Sequence, residues 1–111
     1  MAIPKRKSLA GTCGIPREVE RVYVKVLDKA GSDVGLRSGQ VPKKIVVPGS
    51  APWDVDAVSR GREFGRELFG NLCVRFAVTV RGVRKTLWWE HGDWFVSEDE
   101  VRPLCIWLNY E

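Results

Sequence analysis

The sequence predicts an α+β domain: an antiparallel sheet of about five to six strands, with a meander over 72–97, packed by one main helix at about 53–69. Three observations lead there. Residues 72–81 alternate apolar and polar side chains with period two, as a half-buried strand does. Two tight bends, at Gly82-Val83 and Gly92-Asp93, turn the following chain back on that strand twice. Between Pro52 and Gly70, Ala57, Gly61, Phe64 and Leu68 recur at helical spacing, opposite Asp56, Arg60, Glu63, Arg66 and Glu67.

In chain order, residues 1–17 (MAIPKRKSLAGTCGIPR) read as a flexible basic N-terminal arm, because prolines, glycines and Lys5-Arg6-Lys7 defeat any periodic pattern. Residues 18–111 read as a single α+β domain, since 111 residues suit one domain of ordinary size. Val22, Val24 and Val26 alternate with Arg21, Tyr23 and Lys25, so 18–28 is the first strand. A turn at 29–33 leads to a weaker strand at 34–37 and to extended chain at 41–47.

The helix takes Ser50 or Asp54 as its cap, Pro52 in its first turn and Gly70-Asn71 as its stop. Its two glycines, four apart, suggest close packing on the sheet. A two-residue bend at Gly82-Val83 sets Phe76 opposite Trp89 and Arg75 opposite Glu90. The bend at Gly92-Asp93 sets Trp89 opposite Val96. One face then carries Val74, Phe76, Val78, Val80, Leu87, Trp89, His91, Trp94 and Val96 as core. Ser97-Glu98-Asp99-Glu100 has the form of a capping box and predicts at least one helical turn. Residues 104–108 alternate and suggest a last strand, with a helix over 98–109 as the rival reading.

Charge is unevenly spread over a net +4. Residues 1–49 carry ten Lys or Arg against four Asp or Glu; residues 50–111 carry eight against ten. A basic half points to an anionic partner, of which nucleic acid is the commonest. No apolar run reaches the roughly 18 residues of a membrane span. No signal peptide is visible. The three cysteines, Cys13, Cys73 and Cys105, form no CxxC, and there is one histidine, so neither a zinc site nor any other cofactor is expected. Free thiols in a cytoplasmic protein are the simplest reading.

The run GDWFVSEDEV, residues 92–101, resembles the end of an SH3-like small barrel, where an aromatic strand is followed by one tight helical turn and a last strand. It also resembles the strand-to-helix segment of phage antirepressor domains. These resemblances imply a small binding protein, of the kind found in phages and mobile elements, and assign no functional residue.

Signatures of nucleotide hydrolysis, serine hydrolysis and zinc proteolysis are absent from the sequence. The expected function is therefore a non-enzymatic binding module that contacts nucleic acid. Arg81, Arg84 and Lys85 cluster at a hairpin tip. Lys5, Arg6, Lys7, Lys43 and Lys44 would add contacts, and Trp88 beside Arg75 would stack a base unless another segment buries it. A second reading is a protein-binding inhibitor or regulatory module, or a homodimer, anchored by Trp53, Trp88, Trp107 and Tyr110. A third is a small ribonuclease-like toxin using His91, Arg75 and Glu90.

Overall fold

The computed structural model describes residues 9–37 and 39–101. They form a closed barrel of six antiparallel strands, each paired with the next and β1 closing on β6. The strands are β1 (Arg21–Leu27), β2 (Lys44–Val46), β3 (Trp53–Phe64), β4 (Cys73–Val80), β5 (Val83–Glu90) and β6 (Asp93–Ser97). Three single 3-10 turns, Glu18–Glu20, Glu67–Phe69 and Glu98–Glu100, are the only helical elements among the described residues. The protein is all-β, and the expected α+β architecture with a helix at 53–69 is overturned.

The helical pattern of 53–69 has a physical origin in β3. Register shifts fall between Val55 and Ala57 and between Arg60 and Glu63. Each bulge inserts a residue and breaks strict alternation. Inward Val55 and Val58 are thereby three apart, the spacing of a helix face. The glycines also have another role. A Cβ at Gly61 would lie 2.8 Å from the Arg75 carbonyl oxygen, so this glycine permits close approach of β4. Gly65 has φ +71°, a left-handed conformation that no helix interior contains.

The strands expected at 18–28, 41–47 and 72–81 appear as β1, β2 and β4, while 34–37 forms no strand; an isolated bridge joins Leu27 to Asp33, just before it. The meander is present, with its register moved by two residues. The bends are Arg81-Gly82 and His91-Gly92, each with both residues at positive φ (51° and 79°; 54° and 84°). These are type I′ bends with glycine second, whereas glycine-first bends were expected. Phe76 therefore faces Leu87, Arg75 faces Trp88, Trp89 faces Trp94, and Glu90 faces Asp93. A two-residue slip preserves the side on which every side chain lies. Val74, Phe76, Val78, Val80, Leu87, Trp94 and Val96 consequently line the interior as expected, with Trp89 packed against them; His91 is instead exposed in its bend.

Val26, Ile45, Val47 and Val55 complete that interior. The 28–43 loop contributes Val34, whose carbonyl accepts a 2.8 Å hydrogen bond from Trp94 Nε1. After β6, the Ser97 hydroxyl accepts from the Asp99 amide and caps the Glu98–Glu100 turn. Residues 102–111, with their alternative strand and helix readings, lie outside the described residues.

Candidate nucleic-acid interface

The site is best built from the outward rows of β3, β4 and β5. Near one end these rows hold Phe64, Cys73 and Trp88, joined by Phe95 from β6, in a second apolar cluster outside the barrel. Trp88 stacks on Phe95 at 6.5 Å and 8°, and Phe64 lies 6.1 Å from Trp88. Residues 9–17 cover this cluster. Ile15 is 2% exposed, and the Pro16 carbonyl accepts a 3.0 Å hydrogen bond from Arg21 Nε.

Arg21 lies across the Phe95 ring, 4.1 Å from its centroid, and reaches Glu90 at 2.7 Å. Both charged side chains are 3% exposed. Burial, the largest single influence, would lower the Arg21 pKa, but the hydrogen bonds and charges of Glu90 and Tyr23 together outweigh it and raise the value above that of an ordinary guanidinium. The neighbouring Cys73 thiol is pushed up to about 12, by burial first and by the Glu90 charge second.

Further along the same strands the outward residues become small and cationic. Ala57, Ser59, Ala77, Thr79 and Thr86 present a shallow surface, with Ser59 beside Ala77, Ala77 beside Thr86, and Ala57 beside Thr79. Arg84 lies opposite Thr79, four residues along β4 from Arg75. At about 3.3 Å per residue the two guanidinium-bearing positions are roughly 13 Å apart along the strand. Arg75 and Arg62 flank Phe64, with their guanidinium carbons 5.9 and 5.4 Å from the ring centroid. Arg81 continues the row into the bend. Among the described residues, Arg62, Arg75, Arg81 and Arg84 form no ion pair, and all four are exposed. Such a row of uncompensated charge repels itself unless an anion lies along it.

A cleft of about 710 Å³ separates the covered end from the open end. Arg17 and Arg75 line it together with Glu20, Asp99 and Glu100, so it is mixed in charge and poorly suited to phosphate. Of the arginines without an ion pair among the described residues, four run from Arg62 and Arg75 towards Arg84 and Arg81.

The sequence-predicted residues fall into groups. Arg75, Arg81 and Arg84 share the open surface. Lys43 and Lys44 are exposed on and before β2, where Lys44 approaches Asp54 at 3.9 Å. Lys85 does not join the row. It faces the barrel rim, 2.9 Å from the Glu100 carbonyl oxygen and 4.7 Å from the Trp53 ring centroid. Trp88, expected as a stacking platform, is 5% exposed and covered. Lys5, Arg6, Lys7, Trp107 and Tyr110 lie outside the described residues. Arg62 was missed because the helical reading hid its outward position.

The residues of the ribonuclease reading do not converge. Glu90 is buried against Arg21, Arg75 is on the open face, and exposed His91 lines a separate 410 Å³ pocket with Leu36, Arg37, Glu67 and Trp89. Among the described residues no cluster of three or more His, Cys, Asp or Glu is placed to hold a metal ion, and no helix is long and apolar enough to cross a membrane. No protein-family model, curated protein or solved structure matches the chain.

Proposed function

We propose that the protein is a small non-enzymatic module that binds nucleic acid through its phosphate backbone, with the open outer surface of β3, β4 and β5 as the contact. One observation carries this reading: four exposed arginines, without carboxylate partners among the described residues, line a surface of small residues. Arginine forks match phosphate geometry, and small neighbours let a backbone approach. With Trp88 covered, the surface presents no aromatic platform among the described residues, and the reading assigns its contact to phosphates. Binding is therefore expected to depend weakly on base sequence and steeply on salt.

Fluorescence anisotropy with a labelled oligonucleotide of about 20 residues tests the reading. The Arg75→Glu/Arg84→Glu variant should lose at least tenfold in affinity while keeping the thermal stability of the native chain. Equal affinity of variant and native protein would refute it.

A further inference from the structure

The turn Glu67–Phe69, between β3 and β4, displays Leu68 and Phe69 at 84% and 61% exposure. Among the described residues they are the only large exposed hydrophobics adjacent in sequence. Hydrogen bonds fix the turn. The Phe69 and Asn71 amides donate to the Arg66 carbonyl at 3.1 and 3.3 Å, and the Gly70 amide donates to the Glu67 carbonyl at 2.9 Å. Asn71 Oδ1 accepts from the Arg66 amide at 2.9 Å, and Gly70 closes the turn at a left-handed φ of 69°. A turn held in this way keeps both apolar side chains in water, where their exposure is unfavourable. The 410 Å³ pocket lies directly beside it, lined by apolar Leu36, Leu72 and Trp89 and by polar Arg37, Glu67 and His91. Glu67 opens the turn and Gly70 closes it, and both line the pocket, whereas Leu68 and Phe69 between them do not. An apolar projection and an apolar recess thus share one patch, and the projection does not fill the recess of its own chain.

We infer that this patch is a contact between two copies of the chain, in which the Leu68-Phe69 turn of each enters the pocket of the other about a two-fold axis. Such a contact needs a single patch that is complementary to itself, and a projection next to a recess provides one. Exposed apolar surface of this kind marks interaction sites. The charges around the patch select no other occupant. Arg37 and Glu67 pair at 2.8 Å with side chains 66% and 74% exposed, so two copies can exchange these partners across the axis. Arg66 adds one exposed cation without an ion pair among the described residues, too little to select an anionic partner. Arg62, Arg75, Arg81 and Arg84 do not line the pocket, so the contact is separate from the arginine row and does not rest on the nucleic-acid reading. Two apolar side chains from each copy are fewer than a permanent dimer buries. The association is therefore weak and reversible, with a dissociation constant on the order of 100 µM.

Sedimentation velocity from about 10 µM to about 1 mM protein spans that constant. The native chain should pass from monomer to dimer over the range. Leu68→Asp and Phe69→Asp should each weaken the dimer at least tenfold and leave thermal stability unchanged, because both side chains are exposed in the single chain. Val83→Asp, at another exposed apolar position outside the patch, should leave the dimer unchanged. The Trp89 indole N–H resonance should move with concentration in the native chain and stay fixed in Phe69→Asp. A chain that remains monomeric at about 1 mM, a dimer indifferent to both turn substitutions, or one weakened equally by Val83→Asp would each overturn the proposal.

Discussion

Along β4 and β5 the outward side chains change character from one end to the other. At the covered end they are Cys73, Trp88 and Glu90, sealed with Phe95 beneath Ile15 and Pro16. At the open end they are Ala77, Thr79, Thr86 and Arg84, with no segment of the described chain over them. The strands are the same, and so is their pleat. What differs is the area each row would leave in water. Trp88 and Phe95 carry large apolar surfaces whose burial yields several kcal/mol, sufficient to order a short segment over them. The small residues of the open end offer no such return, and their arginines remain exposed to water. A barrel strand can therefore be core on both faces at one end and core on one face only at the other.

The contrast can be broken most forcefully at Glu90. Glu90→Ala leaves Arg21 buried without its counter-ion and should destabilise the fold by about 3–5 kcal/mol in urea titration. Adding Arg21→Met to Glu90→Ala should recover most of that loss, because the burden is the orphaned charge. If the single variant were as stable as the native chain, the covered end would not be closed as described.

A somewhat smaller effect is expected from the covering segment itself. Ile15→Ala should cost about 2–4 kcal/mol, as buried large-to-small changes do, and should red-shift tryptophan emission as Trp88 meets water. At the open end, Arg84→Gln should change stability by no more than about 0.5 kcal/mol while weakening oligonucleotide binding. A substitution that moved both properties together would erase the distinction between the two ends.

The Cys73 thiol sharpens the comparison by chemistry. In a Cys13→Ser/Cys105→Ser background, Cys73 should stay unmodified by a disulfide reagent at pH 8 until the protein unfolds. Its folded pKa is pushed up to about 12, against 9.0 for an ordinary thiol. The folded state thus holds the proton to higher pH than the unfolded chain does. Its contribution is complete below about pH 9 and is lost as pH rises from there towards 12.

The same two-sidedness explains what could be read from the sequence. The interior rows of β4, β5 and β6 were legible because Val74, Phe76, Val78, Leu87, Trp94 and Val96 alternate without interruption. They survived a two-residue register error, since slips of two preserve facing. The bends were misplaced because Arg81 and His91 adopt left-handed φ, which the sequence signals far less clearly than an Asn before Gly would. β3 was illegible as a strand because its bulges turned a period of two into a spacing of three. The closure of the barrel through a three-residue β2 left almost no periodic trace. Of the candidate site, Arg75 followed from alternation, and Arg81 and Arg84 from their place beside the expected bend. The burial of Trp88 did not, because it depends on Ile15, distant in sequence and placed in a segment without a pattern.

The most direct measurement of the central claim is the salt dependence of oligonucleotide affinity. If four arginines of the open surface meet phosphates, log K should fall against log of salt concentration with a slope of about −3 to −4, and each single Arg→Gln change at Arg62, Arg75, Arg81 or Arg84 should reduce that slope by about one. A slope near zero, or one unaltered by these four substitutions, would contradict the account.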